Sequence, residues 1–395
     1  MIALALNAGS STLKASLYEL ASGLSLAAPP VPIWQETLTW RPGPAQGVTA
    51  SRLLRRLWEG PEAPLRGPDE IGVVGHRVVH GGTRYTSPVT ISEEVKRHIA
   101  ALAPQAPLHN LAALSGIEAA ERTLGPGTSQ VAVFDTAFHA DLPAPAYTYA
   151  GPHDWVDAGL RRFGFHGINH EYVTHRTAHI LNRRLDDLRL LSCHLGSGGS
   201  LAAVCHGRSV DTTMGFTPLD GLAMATRSGS VDPGLLLHLL RSGGTSPDEL
   251  HEALHRRSGL AGLSGTSGDL REVLAAREQG DNRARLAFDV YVHRLRRCMG
   301  AMLPSLGGLD AIAFTGGVGE HSALVRQEAL EPFGFIGVDV DHAANEMPLG
   351  DADIATALSR VRVVVVAAQE EWAIARSAGE VLAEAGPARR QGRLT

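Results

Sequence analysis

The sequence predicts an α/β protein built from two similar domains. Its 395 residues are too many for one hydrophobic core and suit two domains. Short apolar segments typical of strands alternate along the chain with segments of helical character. Two strand–turn–strand segments, separated by nearly 200 residues, share one pattern. This repeat indicates a duplicated unit.

The first of these segments opens the chain. Residues 2–6 are an apolar run, residues 7–12 form a turn of small and hydroxyl residues, and residues 15–20 read as a second strand. Main-chain N–H groups, hydroxyls, the Asn7 amide and the Lys14 ammonium meet at this turn, which suits a phosphate. Lysine occurs only at positions 14 and 96, so Lys14 indicates a need for a compact charge in an arginine-rich chain. The alternative is an ordinary hairpin with an exposed lysine.

The second segment repeats this design. Apolar residues 188–193 and 201–205 flank a turn of small residues at 194–200. Gly196 takes the place of Gly9, and a serine follows the glycine in both turns. The repeat predicts two like domains, each offering one phosphate-binding turn to a shared cleft. Turns rich in glycine and serine are common, which leaves a chance similarity as the alternative.

Composition excludes several classes of protein. Hydrophobic residues make up 44% of the chain and charged residues 19%, as in ordinary globular proteins. A net charge of -5 gives no electrostatic footprint for nucleic acid, so no nucleic-acid partner is expected. No apolar run approaches the roughly 20 residues that span a bilayer, and the chain enters a strand without a charged leader, so neither a membrane partner nor a signal peptide is expected. Three cysteines fit reduced thiols in the cytoplasm.

Between the two hairpins and after them, the pattern predicts further elements. Helices are expected at 51–58, from Ser92, in a segment that ends near Gly125, at 282–302 and from 369 onwards, and strands at 71–79, 130–134, 310–314 and 361–367. Residues 106–110 are expected to break the chain before the helix that ends near Gly125.

Polar residues stand at the ends of two predicted strands, where sheets usually bind ligands. Arg77 lies between His76 and His80 at the end of the first strand, and Asp135 directly follows the next. A glycine-rich turn that opens a helix at 315–320 suits the close approach of a nucleotide. For Arg77, the alternative is a structural arginine with satisfied hydrogen bonds.

Four histidines at 166, 170, 175 and 179 include pairs at helical i,i+4 spacing. Such a spacing can bind a transition metal, but 18 histidines in the chain also make pairs common by chance. A metal-dependent protein that uses His166 and His170 is therefore kept as one alternative.

Six motifs in order then resemble the acetate and propionate kinase family over nearly the whole chain. The motifs lie at residues 7–11, 75–82, 134–139, 164–167, 214–221 and 317–320. The resemblance implies a duplicated actin-like (ribonuclease H-like) fold of two domains, each a mixed sheet of about five strands flanked by helices, with a cleft between them. It implies an N-terminal domain at 1–138 completed by a helix at 373–395, and a second domain at 139–372 that binds nucleotide and makes a homodimer.

The resemblance also implies the reaction, a reversible transfer of the γ-phosphoryl group of ATP to acetate. An acetate carboxylate is ionised at pH 7, so the site needs no strong base and must instead hold two anions together. Arg77 and Arg227 are expected to bracket the carboxylate and the phosphoryl group, with His166 as a donor to phosphoryl oxygens. The family's acid/base residue corresponds to Asp135, for which we favour an electrostatic role.

The same resemblance assigns the binding residues. Asn7 and Glu370 are expected to position Mg²⁺, with Mn²⁺ as a substitute. An apolar pocket for the acetate methyl group is implied at Val79, Leu108, Phe165 and Pro218, with His109 beside it. The ATP site is implied at Lys14, His194, Leu195, Gly196, Ser197, Gly198, Asp269, Leu270, Arg271, Gly317, Val318, Gly319, Glu320 and His321.

Four positions depart from the family pattern. Thr12 replaces a serine and keeps its hydroxyl, whereas Ser197, His321 and Gln369 each replace an asparagine. These last three changes lie on the nucleotide and metal side, so nucleotide affinity and base preference are expected to differ before acyl specificity does. The remaining alternatives are propionate as the substrate, and a nucleotide-switched binding protein of the same fold.

Overall fold

The computed structural model describes residues 1–9, 12–21, 23–40, 45–348 and 350–384. The chain divides into two compact units. Unit 1 comprises residues 1–140, 165–172 and 369–395, and unit 2 comprises residues 141–164 and 173–368. Residues 139–140, 165–172 and 369–372 belong to unit 1 in this division, whereas the sequence predicted them in the second domain.

The sheet of unit 1 has six strands. Its strands are β1 (Ile2–Ala8), β2 (Thr12–Glu19), β3 (Trp34–Thr39), β4 (Ile71–Val78), β5 (Val89–Thr90) and β6 (Ser129–Phe134). Their order across the sheet is β3-β2-β1-β4-β6-β5. The central strands β1, β4 and β6 are parallel to one another. β2 pairs antiparallel with β1, β3 pairs antiparallel with β2, and β5 pairs antiparallel with β6.

The sheet of unit 2 also has six strands. Its strands are β7 (Arg189–Leu195), β8 (Gly199–Cys205), β9 (Arg208–Thr212), β10 (Ala311–Thr315), β11 (Ala352–Asp353) and β12 (Arg362–Val365). Their order is β9-β8-β7-β10-β12-β11, and each pair has the same relative direction as its counterpart in unit 1. The hairpin repeat in the sequence is therefore the start of a duplication that covers a whole sheet.

Helices flank both sheets. The helices that lie wholly in unit 1 are α1 (Ala45–Arg55), α2 (Glu93–Ala101), α3 (Pro107–Leu124) and α15 (Glu370–Glu384). The others are α4 (Ala144–Tyr147), α5 (His153–Asp157), α6 (Gly167–Ile180), α7 (Pro233–Arg241), α8 (Pro247–Arg256), α9 (Gly259–Ser264), α10 (Leu270–Glu278), α11 (Asn282–Leu306), α12 (Gly316–His321), α13 (Ala323–Leu330) and α14 (His342–Glu346). Short 3-10 helices are present at Pro68–Glu70, Ala137–His139, Leu185–Asp187 and Glu331–Ile336.

The helix boundaries follow signals that the sequence carries. Ser92 caps α2, because its hydroxyl accepts a hydrogen bond from the Val95 N–H. Ser246 and Glu249 form a reciprocal capping box at the start of α8. Asp232 caps α7 immediately before a proline in the first turn.

Each unit has a hydrophobic core between its sheet and helices. In unit 2, α11 presents apolar residues at helical spacing, so that Phe288, Leu295 and Met299 pack with Leu191 of β7 and Leu201 of β8. In unit 1, α15 lies so close to β4 that a Cβ added to Gly75 would come within 2.8 Å of the Ile374 carbonyl oxygen.

The structure corrects three expectations. Each sheet has six strands, whereas about five were expected, because the edge strands β5 and β11 are only two residues long and leave almost no pattern in the sequence. Residues 107–110 belong to α3, because Pro107 stands at the first helical position, where its missing N–H is tolerated. The helix expected at 51–58 begins earlier, as α1. Within the described part of the chain, no helix is long and apolar enough to cross a membrane.

Candidate active site

The three polar residues that the sequence placed at strand ends of unit 1 lie at one edge of its sheet. Asn7 is near the end of β1, Arg77 near the end of β4, and Asp135 directly follows β6. Because these strands are parallel neighbours, their carboxyl ends share an edge, which is where open α/β sheets bind ligands. Ser10 and Ser11, in the first predicted phosphate turn, lie outside the described residues.

Arg77 and Asp135 form an ion pair at this edge. Arg77 Nη2 lies 2.6 Å from Asp135 Oδ2, and Arg77 Nε donates to both carboxylate oxygens at 3.1 Å. The side chains are only 14% and 2% exposed. Burial opposes the charge of Arg77, but attraction to Asp135 and Glu370 outweighs it and raises the pKa of Arg77. Burial raises the pKa of Asp135, and the charge of Arg77 opposes that rise.

Asn7 connects this pair to the start of α15. Its Oδ1 accepts a hydrogen bond from Arg77 Nη1 at 3.1 Å. Its Nδ2 donates to Glu370 Oε2 at 2.8 Å and to Glu371 Oε1 at 2.9 Å. Lys14, whose side chain is half exposed, lies 3.8 Å from Glu371 Oε1. The Asn7 amide thus joins the cation Arg77 to the two consecutive carboxylates at the start of α15.

The oxygen donors of this cluster suit a hard divalent cation. Asn7, Asp135 and Glu370 offer amide and carboxylate oxygens, the ligands that Mg²⁺ prefers. Among the residues that the structure describes, no group of three or more His, Cys, Asp or Glu side chains is arranged to hold a metal ion. A cation at this edge would therefore take several ligands from water or from a bound phosphate. His170, proposed as a metal ligand in one alternative, is buried with its ring 5.7 Å from that of His139.

The main-chain segment that contains His166 contacts the main chain at Asp135. Its φ is +57°, an unusual value for a residue other than glycine. The next residue, Gly167, donates its N–H to the Asp135 carbonyl at 2.8 Å, and a Cβ at Gly167 would lie 2.2 Å from that oxygen. The glycine is therefore required for the contact, and the contact fixes the main chain at His166.

The residues assigned to the acyl pocket come from separate segments. In unit 1, Val79 and Phe165 are buried, while His109 is half-buried in the first turns of α3. The backbone of Leu108 belongs to α3, but its side chain lies outside the described residues.

The fifth assigned pocket residue, Pro218, belongs to unit 2 together with Arg227. Arg227 Nη1 donates to the Pro218 carbonyl oxygen at 2.8 Å. This contact brings together one residue assigned to substrate binding and one assigned to catalysis.

Unit 2 presents the equivalent sheet edge. His194 near the end of β7 pairs with Thr315 at the end of β10, so the turn at 194–198 lies beside the turn that opens α12. Gly316 has a φ of +77°, and a Cβ there would lie 2.7 Å from the Leu195 carbonyl oxygen. A side chain at this position would separate the two turns. Most residues assigned to ATP therefore meet at one edge.

The assigned ATP residues differ in what their side chains contact. Leu195 and Leu270 are buried in the hydrophobic core, so only their main chains are available to a ligand. Glu320 Oε1 accepts the N–H groups of Gly316 at 2.9 Å and Ala368 at 3.0 Å, so this carboxylate holds the glycine turn.

The remaining assigned ATP residues are more open. Asp269 caps α10, where Arg271 folds back onto its carboxylate. Ser197, Gly317 and His321 are exposed. Gly198 is half-buried in its turn, Val318 packs partly against the core, and Gly319 is buried in α12.

Sequence reasoning missed two residues that shape the candidate site. Glu371 contacts Asn7 and Lys14. The sequence feature that could have indicated it is a second carboxylate next to Glu370 in the first turn of α15. Arg326 is 1% exposed and donates to the carbonyls of Gly319 and Glu320 at the end of α12, at 2.8 and 2.9 Å. Nothing in the local pattern of α13 distinguishes Arg326 from a surface arginine.

Comparison with known proteins agrees with this geometry. A model of the Acetokinase family matches residues 45–376. The chain is 50% identical over 397 residues to an acetate kinase of Gloeobacter violaceus, covering 95% of this chain and 98% of that one. It is 49% identical to an acetate kinase of a Nostoc species, covering 97% and 100%.

Solved structures give the same result. A crystal structure of Porphyromonas gingivalis acetate kinase has a TM-score of 0.86 and 37% identity, covering 96% of this chain and 99% of that one. A propionate kinase from Francisella tularensis has a TM-score of 0.84 and 33% identity, with the same coverage. The family model covers most of the sequence and these relatives match it over nearly their whole length, so the chain belongs to the acetokinase family.

Proposed function

We propose that the chain catalyses the reversible transfer of the γ-phosphoryl group of ATP to acetate, giving acetyl phosphate and ADP. The observation that carries this proposal is the cluster of Arg77, Asp135, Asn7 and Glu370 at the sheet edge of unit 1. Acetate kinases are also the relatives that match at about half identity over nearly the whole chain. A switch protein that only binds nucleotide has no need of a buried arginine held in this way.

The acceptor in this reaction brings its own nucleophile. A carboxylate with a pKa of about 4–5 is ionised at pH 7 and attacks phosphorus without losing a proton. Both oxygens of Asp135 accept hydrogen bonds from Arg77, which supports an electrostatic role for this carboxylate rather than that of a general base. Asp135 holds the guanidinium plane, and Arg77 neutralises the charge that gathers around the transferring group.

Two more side chains take part in the proposed transfer. Arg227 contributes a second positive charge, its Nη1 fixed by the Pro218 carbonyl. The His166 side chain donates to phosphoryl oxygens. Its main-chain segment is held by the hydrogen bond from the Gly167 N–H to the Asp135 carbonyl. Since Arg77, Arg227 and the main chain next to His166 are held by contacts within the chain itself, little reorganisation of these groups is required in the transition state.

We propose that Asn7 and Glu370 hold Mg²⁺, largely through water. The cation supplies neutralisation of phosphate charge when it is bound. Within the chain, Glu371 keeps the Asn7 amide oriented and balances Lys14, so the donors are arranged by the protein itself. The turn at 194–198 and the glycine turn at 316–319 take the phosphates and nucleoside of ATP.

We also propose a homodimer, in the cytoplasm, formed through α7. None of residues 233–241, all of which the structure describes, is buried. Leu235, Leu237 and Leu240 are 47%, 50% and 37% exposed. A helix with this many leucines is normally covered by another apolar surface.

The test is a hydroxamate assay with purified protein, ATP and Mg²⁺. Hydroxylamine traps acyl phosphate, so acetate, propionate and butyrate are compared directly as acceptors. We expect acetyl hydroxamate with the highest kcat/KM for acetate, and loss of activity in excess chelator. Absence of hydroxamate from all three acids would exclude the proposed reaction, and full activity in chelator would exclude the cation.

A further inference from the structure

Asn110 in α3 is buried and makes all three of its hydrogen bonds with main-chain atoms. Its Oδ1 accepts the His80 N–H at 3.1 Å. Its Nδ2 donates to the His80 carbonyl at 3.3 Å and to the Ile99 carbonyl of α2 at 3.2 Å. The amide orientation follows from chemistry, since an N–H requires the oxygen and two carbonyls require the nitrogen. One side chain therefore fixes both main-chain polar groups of His80.

His80 is adjacent to two residues assigned to the acyl pocket. It directly follows Val79, and Arg77 lies three residues before it, on β4. Its imidazole packs edge-on to Phe165, with 5.5 Å between the ring centroids. Two of the apolar residues assigned to the pocket, Val79 and Phe165, are thus positioned by the backbone or the ring of a residue that Asn110 holds.

Asn110 also belongs to the segment that supplies the other wall. Leu108 and His109 precede it in the first turn of α3. The bonds of Asn110 therefore connect the start of α3 to the end of β4, the two main-chain segments between which a small acyl group is proposed to bind. The segment after His80 is fixed independently, because Gly81 N–H donates to Thr136 Oγ1 at 3.1 Å.

We propose that Asn110 is a positioning residue that sets the size of the acyl pocket and so the preference for acetate over longer acids. This inference rests on the proposed phosphorylation of acetate. A rigid apolar pocket separates acids that differ by one methylene by about 10- to 200-fold at best. A misplacement of about 1 Å in the groups that position a substrate can cost about 100-fold in rate, so we expect a shift of the pocket wall to change this selectivity.

The experiment uses Asn110→Asp in the full-length protein. This substitution is isosteric, keeps an acceptor for the His80 N–H, and places an oxygen against two carbonyls that need a donor. We expect the KM for acetate to rise about threefold or more, and the ratio of kcat/KM for propionate to that for acetate to rise by a similar factor. The KM for ATP is expected to change by less than about twofold, because no bond of Asn110 reaches the ATP residues.

The matched control is Ser92→Ala. It removes the cap at the other end of α2, the helix that contains Ile99, and leaves His80 untouched. A purely structural role for Asn110 predicts that both variants lower the melting temperature and that neither moves the propionate-to-acetate ratio. A folded Asn110→Asp protein with the ratio and the acetate KM of wild type would overturn the proposal.

Asn110→Ser provides the same test if Asn110→Asp does not fold, because a serine hydroxyl is too short to reach both groups of His80. A folded Asn110→Ser protein with wild-type selectivity would likewise overturn the proposal. Failure of the underlying reaction looks different. In that case wild-type protein gives no hydroxamate with any acid, whereas failure of this inference leaves wild type active and the variant equally selective.

Discussion

At the scale of single residues, Arg77 illustrates how the candidate site is constrained. Its guanidinium cannot turn without breaking bonds to both Asp135 and Asn7. The identities of these three residues were predictable, because each stands at the end of an apolar strand segment. Their mutual bonds were not, because the order and direction of strands bring them together. The side-chain bonds of Asn110 were likewise not predictable, because its partners lie 30 and 11 residues away in the sequence.

Arg77→Ala should lower kcat/KM about 100-fold or more, because the variant loses charge stabilisation in the transition state. Arg227→Ala should have an effect of the same order. Arg77→Lys keeps the charge but loses the planar fork, so we expect only partial recovery. Hydroxamate kinetics with all three variants measure these effects, and near-normal turnover in either alanine variant would remove that arginine from the mechanism.

Arg77→Ala should also lower stability in a pH-dependent way. Breaking a buried pair by removing one partner costs about 3–5 kcal/mol. Burial raises the folded-state pKa of Asp135, and loss of Arg77 removes the charge that opposes this rise. The destabilisation relative to wild type is therefore smallest below the raised folded-state pKa of wild-type Asp135, where the folded carboxyl is protonated in both proteins, and it grows as the pH rises above that pKa. Urea unfolding of wild type and variant from pH 4 to pH 7.5 measures the difference, which should not shrink with rising pH.

Ser197→Asn should lower the KM for ATP severalfold and leave the KM for acetate nearly unchanged. The Ser197 side chain is exposed and its carbonyl oxygen accepts the Ala225 N–H at 3.2 Å, so a longer side chain fits without breaking the turn. A hydroxyl must reach a phosphate through water, which costs about 0–2 kcal/mol in lost water entropy. Titration of ATP and GTP at saturating acetate is the measurement. An equal change in both KM values would indicate a structural effect.

At the scale of elements, the hairpins and the capped helices were predictable because their signals are local. Ser246 with Glu249, and Asp232 before a proline, mark helix starts wherever they occur. Edge strands β3, β5, β9 and β11 were not predicted. A short segment forms an edge strand only when it makes hydrogen bonds with a neighbouring strand. Which strand is its neighbour depends on the topology of the whole sheet. The segment after β12 also depends on a residue distant in sequence, because the Ala368 N–H donates to the carboxylate of Glu320 in α12.

Glu320→Ala should raise the KM for ATP severalfold, because the glycine turn at the start of α12 loses its anchor. Glu320→Gln is the matched control. Its side-chain oxygen still accepts from both Gly316 and Ala368, so we expect ATP kinetics close to wild type. Initial rates over a range of ATP concentrations measure the KM of both variants. If Glu320 instead made a direct ionic contact with the nucleotide or its cation, the glutamine variant would be as impaired as the alanine variant.

At the scale of the whole molecule, buried histidines make unit 1 sensitive to acid. Burial lowers the pKa of His76 and of His139 to about 4. A group with a lowered folded-state pKa contributes stability that is present above the unfolded pKa of about 6.5 and is lost as the pH falls towards 4. At about 1.4 kcal/mol per pH unit, each buried imidazole lowers the free energy of unfolding by up to about 2 kcal/mol between pH 6.5 and pH 5.

His139→Gln should reduce this loss, because a glutamine amide can still donate to the Phe165 carbonyl but does not titrate. Urea unfolding at pH 7 and pH 5 gives the loss for wild type and variant. His153→Gln is the control, since the His153 side chain is 86% exposed and should leave the loss unchanged. A His139→Gln protein that loses as much stability as wild type would show that acid acts elsewhere.

The surface of α7 leads to a prediction about assembly. Leu237→Glu should shift sedimentation equilibrium from dimer towards monomer, since burying a leucine contributes about 1.5–3 kcal/mol and a buried carboxylate is unfavourable. Leu358, which is 90% exposed in unit 2, provides the control as Leu358→Glu. A monomeric wild type, or a Leu237→Glu protein that dimerises as tightly as wild type, would exclude α7 as the contact.

The position of α15 has a consequence for the synthesis and folding of the protein. Asn7 and Glu370 are bonded neighbours although 363 residues separate them in sequence. At about 5–20 residues per second, a ribosome makes the second partner roughly 20–70 s after the first. Throughout that time the nascent sheet of unit 1 lacks the helix that covers β1 and β4. Growing chains are therefore the form most in need of protection from aggregation, and the half of the site that contains Asn7 is completed only when translation is almost over.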